Sequence, residues 1–192
     1  MRDVAATLLS GGVALLPTDT VYGLVACPAL PAAVQKIFAL KARSADKKLP
    51  ILVNSAKQIE GLGVALTPEI KSLLASKFVP GPLTLIVPLT GQHPSWLEGR
   101  NEVAVRIPAD DFLLELLAKT GPLVATSANR SGENTPANTS DILNQLAGKP
   151  DIVRDDGPRQ SQPSTLIDCQ TSPFTLIRQG ALSAKDIHEV LP

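Results

Sequence analysis

Three polar clusters carry side chains able to hold an anionic ligand. The first is Pro17-Thr18-Asp19-Thr20-Val21-Tyr22-Gly23-Leu24, which follows an apolar run from Val13 to Leu16. The others are Lys41-Ala42-Arg43 and Ser127-Ala128-Asn129. Short hydroxyls just after a strand bind an amino acid or a nucleotide, or they close a turn. Thr18, Thr20 and Tyr22 present that choice, and Thr126, Ser127 and Asn129 repeat it with a carboxamide that suits a ribose or phosphate. From Lys36 to Lys48 there are five basic residues (Lys36, Lys41, Arg43, Lys47, Lys48) against one acid, Asp46. If the chain leaves a helix at Ala42, Lys41 and Arg43 can reach one phosphate or carboxylate together. The alternative is a solvated face whose cations favour a helix C-terminus.

Arg106 stands inside the apolar run Val-Ala-Val-Arg-Ile. Either it is buried and needs an anionic partner, or it lies at an edge with its head in water. Arg178 closes another apolar run and poses the same question. His93, in a polar loop beside Trp96, and His188 have no partners in sequence and read as surface residues. The chain has no GxxxxGK[ST] loop, no HExxH, no GxSxG and no metal-ligand spacing. Any chemistry here is expected to rest on positioning and electrostatics rather than on a protein nucleophile.

These groups need strands and helices to place them. Val4 and Leu8 sit at helical spacing over residues 3–10, stopped by Gly11-Gly12, so the N-terminus reads as a short helix and not as a signal peptide. Strands are predicted at Val13–Leu16, Pro50–Val53, Leu83–Leu89, Val103–Ile107, Leu123–Thr126, Ser164–Asp168 and Phe174–Arg178. Helices are predicted over 30–42, with Leu30, Val34, Ile37 and Phe38 on the buried face, and after Thr67-Pro68-Glu69, a hydroxyl cap with proline and an acid in the first turn. Phe112 to Leu117 and residues 140–147 form two more, and Ser183 with Asp186 opens the last. The alternation predicts an α/β fold, a single-domain twisted mixed sheet flanked by helices over residues 1–192. The stretch Arg130–Thr139 is the candidate mobile loop near the site.

Eighteen basic and eighteen acidic residues cancel, so nucleic acid or membrane contact requires a local patch. Six aromatics (four Phe, one Trp, one Tyr) are few for a base-stacking RNA binder. Two cysteines without a CxxC spacing fit a reducing cytoplasm, and no run is long enough to span a bilayer.

Together the clusters resemble the YrdC-like family, the threonylcarbamoyl-AMP synthases. Seven strings stand in the family's order between residues 17 and 180. The first is Pro17 to Leu24, and Lys41-Ala42-Arg43 follows with Lys47 close behind. Then come Pro80-Gly81-Pro82-Leu83-Thr84, Val105-Arg106-Ile107-Pro108 and Thr126-Ser127-Ala128-Asn129 with Ser131-Gly132. Pro163-Ser164-Thr165 and Ile177-Arg178-Gln179-Gly180 complete the set. The resemblance implies a twisted mixed sheet with a concave, positively charged face. It implies a nucleotidyltransferase that joins L-threonine, bicarbonate and ATP, with Mg²⁺ as part of the ATP substrate complex, to give threonylcarbamoyl-AMP and pyrophosphate. Partner transferase proteins would then carry the group to tRNA beside the anticodon.

By matching position, Lys41 and Arg43 are the catalytic cations, and Lys41, Arg43 and Lys47 face the triphosphate. Asn129 and Arg178 contact the nucleotide. Thr20, Ser127 and Ser164 lie against threonine, and Arg106 meets its carboxylate or the carbamate. No protein metal ligand is implied. Ser44, Lys48 and Val25 depart from the family pattern and bear on loop rigidity. With its end at Pro192 the sequence reads as a short form, expected to lack the further C-terminal domain of longer relatives. Two other readings compete: a non-catalytic RNA-binding or ribosome-maturation factor, and a carbamoyl-transfer module of the hydrogenase-maturation kind, whose flanking acylphosphatase-like and zinc-finger segments are lacking.

Overall fold

The computed structural model describes residues 1–159 and 162–190. In chain order the elements are α1 (Arg2–Leu9), β1 (Ala14–Leu16), β2 (Gly23–Ala26), α2 (Pro31–Lys41), β3 (Ile51–Leu52), α3 (Ala56–Glu60) and α4 (Pro68–Leu74). There follow β4 (Leu83–Pro88), β5 (Glu102–Arg106), α5 (Asp111–Thr120), β6 (Leu123–Ser127), α6 (Thr139–Gln145), β7 (Ile152–Val153), β8 (Thr165–Asp168), β9 (Thr175–Arg178) and α7 (Ala184–His188). The strands form one mixed sheet in the order β7-β1-β2-β6-β3-β5-β4-β8-β9. The pairs β1–β7, β3–β5 and β4–β8 are parallel and the others antiparallel. The α/β architecture and mixed sheet match the sequence reading.

Local chemistry starts the helices where the sequence indicates. Thr67 accepts from the Ile70 amide ahead of Pro68, and Ser183 and Asp186 form a reciprocal capping box. On α2 the deepest residues are Ala33, Ile37, Leu40 and Lys41, while Leu30, Val34 and Phe38 are half-buried against the core. The burial stripe is therefore turned from the expected one, and it takes in a lysine. Three elements carry little sequence signal. β7 has two residues and α3 five, and β2 follows the polar turn that draws attention first.

The pleat explains where the core lies and where it stops. Alternate strand residues Leu15, Leu24, Ile51, Val105, Val124 and Ile167 belong to one core with Ile37, Ile59, Ile70 and Ile142 from α2, α3, α4 and α6. Their neighbours Leu16, Val25, Leu52 and Leu123 face the other way, onto Leu8 of α1 and Leu113, Leu116 and Leu117 of α5. Burying each such leucine or isoleucine contributes about 1.5–3 kcal/mol relative to leaving it exposed. On this second face α1 and α5 cover only the β1-β2-β6-β3 half. Over β5, β4 and β8 the face is open, and the polar side chains gather there.

The side chain of His188, and residues 191–192 of the predicted domain, lie outside the described residues. His93 is half-buried, with Nδ1 3.3 Å from the Pro94 carbonyl.

Candidate active site

A cavity of about 320 Å³ occupies the open half of that face. On β5, Glu102, Ala104 and Arg106 alternate onto it, so its two charged residues stand about 13 Å apart along the strand. Thr84 and Ile86 of β4 do the same, with Ser164 and Leu166 at the start of β8 and Arg178 at the end of β9. The β1–β2 turn brings Thr18, Thr20 and Tyr22, and the end of β6 brings Thr126 and Ser127. Arg43, Lys48 and Arg100 add further cations to the lining. Among the described residues five cations thus meet one carboxylate, Glu102, which already holds Lys48 at 3.0 Å.

Arg106 is buried, and it has the anionic partner that burial demands. Nη2 donates to Asp19 Oδ1 at 2.8 Å, Nη1 to Thr20 Oγ1 at 2.9 Å, and Nε to the Gly81 carbonyl at 3.0 Å. A guanidinium has five N–H donors, so three protein bonds leave two for a ligand. Burial lowers the pKa of Arg106, and Asp19 opposes that shift. Thr20 is itself oriented by Thr18, hydroxyl to hydroxyl at 2.9 Å. Thr84 and Ser164 share a buried hydroxyl contact of 2.7 Å, and Arg178 Nη2 donates to the Ser164 carbonyl at 2.9 Å. Burial also lowers the Arg178 pKa.

The basic segment does not act as a block. α2 ends with Ala42 in the left-handed conformation, φ 46°, and the turn sends its two flanking cations apart. Arg43 lines the cavity on weak contacts, 3.5 Å to Thr126 Oγ1 and 3.4 Å to the Lys48 carbonyl, and its buried Nε has no partner among the described residues. Burial lowers its pKa, with Asp46 opposing. Lys41 turns inward, 1% exposed, and its Nζ donates to the carbonyls of Ser127 and Asn129 and to Asn129 Oδ1. The expectation that Lys41 and Arg43 reach one anion together is therefore corrected, and so is the solvated-face alternative for Lys41. Lys47 is exposed and lines a separate hollow of about 460 Å³ beside Phe38 and Trp96.

Asn129 does not line the cavity either. It is buried behind Ser127, whose Oγ donates to Asn129 Oδ1 at 2.5 Å. Its amide nitrogen donates to the carbonyls of Arg130 and Glu133. The predicted mobile loop is tied down by the same network: Ser131 N donates to the Lys41 carbonyl, Thr135 Oγ1 to Asn129 Oδ1, and Gln145 Nε2 to the Asn134 carbonyl. None of residues 130–139 lines the cavity.

Thr20, Arg43, Arg106, Ser127, Ser164 and Arg178 are thus brought together, while Lys41, Lys47 and Asn129 are not. The sequence reading passed over Arg100, and it counted Lys48 in the basic cluster and as a departure from the family pattern without giving it a place in the site. The acid at Glu102, two residues after Arg100 on a predicted strand edge, was the available signal. Such an arrangement can bind a polyanion beside a carboxylate and a hydroxyl-bearing group. Among the described residues no three His, Cys, Asp or Glu side chains cluster to hold a metal, and no helix is long and apolar enough to cross a membrane.

A family model, Sua5/yciO/yrdC, described as telomere recombination, matches residues 6–180. The chain is 37% identical over 194 residues to a threonylcarbamoyl-AMP synthase of Pyrococcus abyssi, covering 100% of this chain and 57% of the relative. It is 34% identical over 195 residues to a threonylcarbamoyl-AMP synthase of Bacillus subtilis, covering 100% and 56%. The structure of P. abyssi Sua5 complexed with L-threonine matches with a TM-score of 0.87 at 36% identity, over 98% of this chain and 56% of that one. The chain spans a little over half the length of these relatives.

Proposed function

The chain belongs to the Sua5/YciO/YrdC family, and on that basis we propose that it is a threonylcarbamoyl-AMP synthase, a nucleotidyltransferase using L-threonine, bicarbonate and ATP. The observation that carries the proposal is the open cavity. It joins a buried arginine with two free N–H donors and paired hydroxyls to further cations, in a chain alike over its whole length to named synthases.

In this reading Arg106 receives the threonine carboxylate or its carbamate, and Thr20, Ser127, Ser164 and Thr84 surround the amino acid. Arg43, Lys48, Arg100 and Arg178 take the phosphates of ATP. Mg²⁺ arrives with ATP, since the one cavity carboxylate, Glu102, is engaged by Lys48. A carbamate oxygen attacks the α-phosphorus, the bond to the bridging oxygen breaks, and pyrophosphate leaves with that electron pair. The cations neutralise charge that grows on the phosphoryl oxygens, the largest contribution a site without a nucleophile can make. The adenylate would pass to partner transferase proteins acting on tRNA in the cytoplasm, and the cations around the cavity form the concave positive face.

The test is pyrophosphate release from ATP, Mg²⁺ and bicarbonate, with and without L-threonine, with the product read by mass spectrometry. Threonine-dependent pyrophosphate and a threonylcarbamoyl-adenylate mass are expected. Pyrophosphate independent of threonine overturns the synthase reading, and no turnover together with tight, salt-sensitive tRNA binding replaces it with an RNA-binding role.

A further inference from the structure

We propose that Lys41 is a positioning residue rather than a phosphate ligand: it holds the end of β6, and with it the Ser127 side chain, in the shape the cavity requires. The kinetic half of this inference rests on the synthase reading.

An ammonium group has three N–H donors and no acceptor. Lys41 Nζ meets three oxygens: the Ser127 carbonyl, the Asn129 carbonyl at 2.7 Å and Asn129 Oδ1 at 3.2 Å. No donor remains for a phosphate. The lysine also acts through its backbone, because the Ser131 amide donates to its carbonyl at 2.9 Å. One residue at the end of α2 therefore grips the turn 127–131 at both its near and far ends.

Asn129 closes the network. Its Oδ1 accepts from Lys41, from Ser127 Oγ at 2.5 Å and from Thr135 Oγ1 at 3.2 Å. Its Nδ2 donates to Arg130 O at 2.8 Å and Glu133 O at 2.7 Å. Swinging Lys41 out to a triphosphate would strip buried carbonyls of their donor, which is costly in a low-dielectric interior. Arg43 is its opposite, with an unpartnered Nε, two long contacts and a place in the cavity wall. The left-handed Ala42 between them sorts the cations into one that builds and one that binds. Burial, reinforced by Arg43, lowers the Lys41 pKa to about 8, so an accessible Lys41 amine would react faster with acylating reagents than an ordinary lysine.

That contrast gives a test on the wild-type chain. The protein is treated briefly with acetic anhydride, without and with MgATP, and each lysine is read by mass spectrometry. Lys47 and Lys48 are expected to label, with Lys48 protected by ATP, and Lys41 to lag at least about tenfold in both states. Rapid labelling of Lys41 in the free protein, suppressed by ATP, overturns the proposal. Lys41→Met supplies the second arm: threonine-dependent turnover is expected to fall about tenfold or more while the equilibrium affinity for ATP stays within about twofold. Combined with Asn129→Ala the losses are expected to be less than additive. An ATP affinity that drops about tenfold in Lys41→Met, or losses that simply add, argues for a direct phosphate contact. If Lys41→Met does not fold, the labelling result stands by itself. Absence of turnover in the wild type refutes the synthase reading and leaves the labelling comparison intact.

Discussion

Arg106 and Asp19, 87 positions apart, meet as an ion pair of 2.8 Å with side chains only 8% and 11% exposed. β5 supplies the arginine and the turn after β1 supplies the carboxylate, so the pair anchors the hydroxyl-bearing turn to the centre of the sheet. Asp19 uses one oxygen for this bond, and Oδ2 has no partner among the described residues.

Removing Asp19 should cost more than one hydrogen bond, because it leaves a buried guanidinium without its counter-charge. Asp19→Ala is expected to lower unfolding stability by about 3–5 kcal/mol, measured by urea denaturation. A loss under about 1 kcal/mol would show that the guanidinium finds other compensation.

Arg43 should behave in the opposite way. Its protein contacts are long and its Nε is unpartnered, so little stability depends on it. Arg43→Ala is expected to reduce adenylate formation by about 10²–10³-fold, the usual effect of deleting one preorganised charge-stabilising donor, with the melting temperature nearly unchanged. Parallel losses of melting temperature and activity would mark Arg43 as structural.

Gly180 follows β9 and is pressed against the segment that begins β8. A Cβ there would lie 2.0 Å from the Pro163 carbonyl oxygen and 2.6 Å from the Ser164 backbone. Both are main-chain atoms, which cannot rotate away. Gly180→Ala is expected to destabilise the chain and displace Ser164, seen as a lower melting temperature and a raised KM for threonine. Wild-type values for both would show that the strand shifts without cost.

Acid should uncouple the first turn of the sheet from the strand at its edge. Asp151 accepts from the Val13 amide at 2.7 Å and pairs with Lys36 at 2.5 Å. The Lys36 hydrogen bond, followed by the Val13 amide, holds its pKa below the ordinary 3.8. A depressed carboxylate stabilises the fold above its unfolded pKa, and that contribution disappears as pH falls through the folded value. The stability advantage of wild type over Asp151→Asn is expected to be present at neutral pH and to be lost as the pH falls below the ordinary carboxylate value, through the depressed folded one. The pair is partly exposed, so the advantage is small and shrinks in high salt. A gap that persists at low pH would place its origin elsewhere.

Much of the fold was legible because its causes are local. Val4 with Leu8, the Thr67-Pro68-Glu69 start and the Ser183–Asp186 box each act within one helical turn. The apolar runs at Leu83 and Leu123 needed only the two-residue alternation of a strand to be read. β2 and β7 escaped because a short strand has no cap and too few residues to display a period. Their positions are set by partners such as Leu16 opposite Gly23 and Ala14 opposite Ile152.

The site divides along the same line. From residue types in order, the sequence by itself determined that hydroxyls and cations follow the strands, that Arg106 required an anion if buried, and that the whole set resembles one family. Which cation meets the ligand was decided only by the tertiary structure. Lys41 and Arg43 are two residues apart, yet Lys41 is tied to carbonyls 86 and 88 positions away while Arg43 stays weakly held at the cavity. The physical reason is that a side chain's role depends on which acceptors surround it. Those acceptors lie at the end of β6 and just beyond it, where the folded sheet meets the end of α2, and no spacing along the chain reveals that meeting.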